Sequence, residues 1–147
     1  VINHPDSVSP ETLTKISAVM KELNYSPNEQ ARSLTLNRTH TVALLIPNIL
    51  NPLYPQIAKG IEDIAHQKGY NLLLCNTEHN ISKEREYIDM LLKRKVDGLV
   101  LTSPLLKRKD IEKLKEQKMP VVTIGQNIDN VSMNSVFTDF KLGAYHA

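Results

Sequence analysis

Four short apolar runs constrain the fold of this chain more than any other feature. The strands they predict start at Val42, Asn71, Leu99 and Val121, 22 to 29 residues apart, with a helical pattern filling each interval. Val42-Ala43-Leu44-Leu45-Ile46 is continuously apolar, as a strand buried on both faces must be. Tyr70 to Cys75 reads as another buried strand, and Val121 to Ile124 as a fourth after Leu99 to Leu101. From Leu53 to Lys68 an apolar stripe runs through Ile57, Ala58, Ile61, Ile64 and Ala65, and Gly69 supplies the stop. Ser82 opens a second pattern with Tyr87, Ile88, Leu91 and Leu92 on one side, and a third spans Asp110 to Lys118. Strand, helix and parallel strand in repetition require right-handed crossovers, which predicts an α/β fold with a doubly wound parallel sheet. Val136-Phe137 is expected as a short fifth strand, with a last helix near Lys141. Ligands of such sheets sit outside the carboxyl ends of the strands. Those ends are Pro47 to Tyr54, Asn76 to His79, Thr102 to Leu105 and Gly125 to Asn127.

The first forty residues have a different character. Ser9 can cap a helix, Pro10 suits its first position, and Glu11 faces the positive end of the dipole. Leu13, Ile16, Met20 and Leu23 then form one apolar face, and Asn24-Tyr25-Ser26-Pro27 ends it. Asn28 can cap a second helix reaching Leu34, about two turns long and marginal unless something packs against it. Thr35 to His40 reads as a linker. Two readings of the segment stay open on spacing alone. Leu34 covers a domain edge, or the segment folds when it meets a partner. Lys15, Lys21, Arg32 and Arg38 are balanced by Asp6, Glu11, Glu22 and Glu29, and the whole chain carries only +2. Charge does not mark a nucleic-acid binder here.

Enzyme chemistry finds no foothold. The chain has no G-x-G-x-x-G, no P-loop and no G-x-S-x-G elbow. Its five histidines show no ligand spacing with each other or with Cys75, the one cysteine, which reads as a small buried hydrophobe. No catalytic residue, metal or cofactor is therefore expected. Hydrophobic residues make up 41% and charged residues 23%, enough for a globular core. No apolar run approaches the roughly 20 residues that span a bilayer, so no membrane partner is expected. No signal peptide opens the chain, and its lone cysteine fits a reducing compartment. The first residue is Val1, which suggests a piece of something longer. The loop Asn48-Ile49-Leu50-Asn51-Pro52-Leu53-Tyr54 is the one candidate ligand wall, apolar with a few polar groups to orient a small molecule. Spacing leaves the alternative equally open, in which Leu53 and Tyr54 staple the helix onto the sheet.

Four stretches together resemble the LacI-type family of bacterial transcription regulators. They are Val1-Ile2-Asn3 with Val8-Ser9-Pro10-Glu11-Thr12; Leu23-Asn24-Tyr25-Ser26-Pro27-Asn28 running into Ala31-Arg32-Ser33-Leu34; Ile46-Pro47-Asn48 with Asn51-Pro52 and Gly60-Ile61-Glu62; and Val96-Asp97-Gly98. The resemblance implies that residues 1–27 are a remnant of a DNA-binding headpiece lacking most of its helix-turn-helix. It makes residues 28–40 a hinge helix and linker, and residues 41–147 the first lobe of a periplasmic-binding-protein-like effector domain whose second lobe is absent. Tyr25, Asn28, Ala31, Arg32, Ser33 and Leu34 would then meet operator DNA, with Leu34 as a minor-groove wedge. Leu50, Asn51, Leu53 and Tyr54 would line the effector wall. The resemblance implies a cytoplasmic homodimer that acts as a repressor and takes a sugar, sugar phosphate or purine-like effector. A transport-type sugar-binding protein is the alternative, and the zone from Ser9 to Arg38 argues against it.

Overall fold

The computed structural model describes residues 7–23, 25, 38–102, 104–125 and 133–137. Val1-Ile2-Asn3, the expected hinge helix over 28–34 and the expected helix near Lys141 lie outside these residues. The chain divides into two compact units, Val1–Asn37 and Arg38–Ala147.

In the first unit, α1 spans Pro10–Glu22. The Ser9 side chain accepts the Thr12 N–H at 3.3 Å, Pro10 occupies the first turn, and Lys15 pairs with Glu11 at 2.7 Å. The start is thus built as the residues predict. No α1 residue is buried, and Val19 and Leu23 are exposed.

The second unit runs β1 (Thr41–Ile46), α2 (Leu53–Gln67), β2 (Asn71–Asn76), α3 (Ile81–Lys93), β3 (Gly98–Thr102), α4 (Arg108–Glu116), β4 (Val121–Ile124) and β5 (Asn134–Val136). The sheet order is β2-β1-β3-β4-β5, and every pair is parallel. Alternation along β1 sends its side chains to two faces. Leu44 and Ile46 pack with Tyr54, Ile57, Ala58 and Ile61 of α2. Ala43 and Leu45 join Leu99 and Leu101, beneath Ile88 and Leu91 of α3 and Ile111 and Leu114 of α4. Each fully buried leucine of this set contributes about 1.5–3 kcal/mol of apolar transfer. The α/β doubly wound parallel sheet expected from the spacing is the fold observed.

Several details differ from the expectation, each for a local reason. Strand β2 is not buried throughout. It lies at the sheet edge, and Leu74 on the α2 face is 38% exposed. Ile64 falls off the α2 core stripe and is exposed, because the helix seats on Tyr54, Ile57, Ala58 and Ile61. Asn80, not Ser82, opens α3, its side chain accepting from Ser82 and Lys83 N–H at 2.9 and 3.2 Å. Helix α4 begins two residues before Asp110, whose carboxylate accepts the Lys107 N–H at 3.0 Å and so works at the third helical position. Strand β5 takes in Asn134 to Val136, leaving Phe137 outside it and exposed.

Candidate functional site

The chain leaves β1 for β2 on one side and then crosses back to β3 on the other. This reversal opens a crevice between the loops at the carboxyl ends of β1 and β3, where ligands of such sheets bind. The loop after β1 is shaped by asparagine amides. Asn48 Oδ1 accepts the Leu50 N–H at 2.9 Å, and Asn51 Oδ1 accepts the Leu53 N–H at 3.0 Å. Asn76, at the end of β2, accepts the Ile49 N–H at 3.1 Å and ties the loop to the neighbouring strand. These short side chains stand in for backbone acceptors in tight turns.

The result presents apolar side chains to solvent on a fixed loop. Leu50 is 88% exposed, Leu53 is 53% exposed, and Ile49 and Asn51 are also exposed. Tyr54 differs from them. It is 8% exposed and packs with Leu44 and Ile46, so this ring fastens α2 to the sheet beneath the loop. Of the four residues expected to line the wall, three face outward and one supports them from below.

The next loops are equally tied. Thr77 donates its hydroxyl to the Ile46 carbonyl at 3.2 Å, and Thr102 donates to the Leu45 carbonyl at 2.9 Å. Glu78 and His79 both adopt the left-handed conformation, with φ of 56° and 55°. Glu84, on α3, is 3% exposed and accepts the Leu105 N–H at 3.1 Å, which holds the loop after β3. Burial pushes the Glu84 carboxyl above its ordinary range, partly offset by that N–H, and Asp110 nearby pushes it further up. Arg85 grips Asp110 through two bonds of 2.9 Å, and this guanidinium holds the Asp110 carboxyl below its usual range. Burial also raises the Cys75 thiol, in keeping with an unreactive core cysteine.

Sequence reasoning placed Asn76 at a strand end on the ligand edge without its bond to the neighbouring loop, and it missed Glu84. Glu84 shares the face of Ile81, Ile88 and Leu91, and a carboxylate inside an apolar helical stripe was the available signal. Of the residues expected to meet DNA, Tyr25 is exposed just past α1, its N–H donating to the Met20 carbonyl at 2.8 Å. Asn28, Ala31, Arg32, Ser33 and Leu34 lie outside the described residues. A groove of about 290 Å³ lined by Ile111, Leu114, Met119 and Val121 sits at the amino end of β4, away from this edge. Among the described residues no cluster of His, Cys, Asp or Glu could hold a metal ion, and no helix is long and apolar enough to cross a membrane.

Residues 39–147 match the family described as periplasmic binding proteins and sugar binding domain of the LacI family. Residues 1–28 match bacterial regulatory proteins of the lacI family. The HTH-type transcriptional regulator RegA of Clostridium acetobutylicum is 38% identical over an alignment covering 100% of this chain and 45% of that protein. The ribose operon repressor of Halalkalibacterium halodurans is also 38% identical, over 98% of this chain and 42% of that protein. A solved periplasmic binding protein/LacI transcriptional regulator from Alkaliphilus metalliredigens, complexed with D-xylulofuranose, superposes with a TM-score of 0.64 at 31% identity. That superposition covers 73% of this chain and 38% of the other. The chain thus spans less than half the length of these relatives. With a lacI regulatory segment at one end and the sugar-binding domain over the rest, the chain belongs to the LacI family of bacterial regulatory proteins.

Proposed function

We propose that this chain is part of a transcription regulator that binds a palindromic operator as a homodimer and changes its affinity when a small molecule closes two lobes. The observation that carries the reading is the union of α1 with a lobe whose carboxyl edge displays Leu50 and Leu53. A ligand site buries most of its ligand, so one exposed wall calls for a second lobe opposite. Leu50, Asn51 and Leu53 form the first wall, and Tyr54 fixes it. The apolar face of α1 buries nothing within itself and suits bracing a DNA-reading helix. In this reading residues 1–27 belong to the headpiece, 28–40 to the hinge and linker, and 41–147 to the first lobe. Tyr25, Asn28, Ala31, Arg32, Ser33 and Leu34 contact DNA. A leucine inserted in the minor groove costs a few kcal/mol of unstacking, offset by the contacts that a kinked duplex allows.

The effector class is a sugar or sugar phosphate, with a purine-like molecule as the third option. The ribose operon repressor and the D-xylulofuranose complex among the relatives favour the first. The protein acts in the cytoplasm, without catalysis or cofactor. Exposed Leu74 on edge strand β2 and exposed Ile64 on α2 supply apolar surface for the second copy. A random duplex pool passed over the full-length protein tests the reading. A palindromic sequence should be enriched, and its absence after repeated rounds contradicts operator binding.

A further inference from the structure

The opposite edge of the sheet, where the strands begin, carries a feature that the ligand edge does not use. Asp97 sits in the turn before β3 and gathers the segment before β1. Its Oδ2 accepts the Thr39 N–H at 3.1 Å, the Thr41 N–H at 3.2 Å and the Thr39 hydroxyl at 3.4 Å. Its own N–H donates to the Thr41 carbonyl at 2.8 Å, and the Thr39 hydroxyl also reaches the Lys95 carbonyl at 3.1 Å. On the other side of the segment, the His40 carbonyl accepts the Asn71 N–H at 2.8 Å, and the His40 ring lies against Tyr70 with centroids 5.3 Å apart. His40 takes a left-handed φ of 48°, which a non-glycine residue adopts only when its surroundings impose it. Thr39 and His40, read from sequence as linker, are therefore bound to the turns before β2 and β3.

The N–H groups just before and at the start of a strand need acceptors from water or from a nearby side chain. Here one carboxylate oxygen collects three donors in charge-assisted bonds. The clasp lies within three residues of Arg38, where the second compact unit begins. The same strand β1 runs about 20 Å from Thr41 to the ligand-edge loop. We propose that Asp97 is a positioning residue that fixes the point where the DNA-contacting segment leaves the lobe, so that operator selectivity depends on it. The proposal rests on the operator-binding reading above.

The test uses the full-length protein, the palindromic duplex that the wild type selects and a scrambled duplex. Asp97→Ala should lower affinity for the selected duplex at least tenfold and leave the scrambled duplex within threefold. Asp97→Asn, which keeps an acceptor oxygen, should restore most of the loss. Inserting two glycines between Asn37 and Arg38 leaves the clasp intact and lengthens the tether. It should produce a similar loss, and combining it with Asp97→Ala should add little further. If Asp97→Ala does not fold, Thr39→Val, which removes the hydroxyl donor alone, should still lower selectivity at least threefold. Undiminished selectivity in the folded Asp97→Ala protein, or in Thr39→Val where that replaces it, overturns the clasp. So does full additivity with the insertion. A wild type that enriches no duplex overturns the operator reading itself, and the clasp with it.

Discussion

Replacing Glu84 with glutamine keeps an oxygen for the Leu105 N–H but removes a charge from a site that is almost sealed from water. Burial raises the folded-state pKa of Glu84 above its ordinary value of 4.5. A raised carboxyl contributes stability that is fully present below the unfolded value and is lost as pH rises through the folded one. Glutamine has no such loss. Urea unfolding across pH should show Glu84→Gln gaining on the wild type from acid toward neutral pH; a difference that stays flat contradicts the burial effect. Tyr54 makes a second residue-scale prediction. Tyr54→Ala empties a large side chain from beneath α2 and should cost about 3–5 kcal/mol in the same assay. Leu50→Ala, on the exposed loop, should stay within about 0.5 kcal/mol. Equal effects would show that both side chains share one environment. Spacing alone left the role of Tyr54 open between wall and staple, because a helix start and a ligand loop use the same residue types. The Arg85–Asp110 pair was invisible for another reason, since its partners lie 25 residues apart and meet only when α3 and α4 pack side by side.

The second-unit helices end in one recurring device, of which only one case was readable. After α2, Gly69 takes φ of 74°, its N–H reaching the His66 carbonyl at 3.0 Å and the Tyr70 N–H reaching Ala65 at 2.8 Å. After α3 and α4 the same left-handed position falls to Lys95 and Lys118, with φ of 53° and 54°. Glycine announces such a stop in sequence, and lysine does not. An L side chain in this conformation costs about 1–2 kcal/mol, part of which glycine returns as unfolded-state entropy. Lys118→Gly should therefore stabilise the lobe by about 0.5–1 kcal/mol, read from the urea midpoint, and a loss of stability would refute the account of the helix end. Element order and type were legible because strands and helices alternate at their own periods. The edge position of β2 was not. Its apolar run matches those of the central strands, and strand order depends on which neighbours pair rather than on any local run.

Across the whole molecule, two edges of one sheet divide the work in the proposed reading. The carboxyl edge offers a ligand wall at Leu50 and Leu53, and the amino edge holds the incoming chain through Asp97. One wall cannot bury most of a ligand's surface, so this chain alone should bind D-ribose or another sugar weakly or undetectably. Calorimetry should show affinity returning in a longer chain carrying the second lobe, and equal affinity in both refutes the half-cleft. The family resemblance was legible across the chain, whereas no single motif in it names an effector or an operator sequence. The central claim is that ligand and operator compete for, or cooperate through, one conformational equilibrium. It is tested most directly by fluorescence anisotropy of the full-length protein on its selected duplex, with and without the sugar that most raises its melting temperature. The account predicts a change in duplex affinity of about 5- to 150-fold in either direction, the usual range for coupled sites. A sugar that binds while duplex affinity stays the same would contradict it.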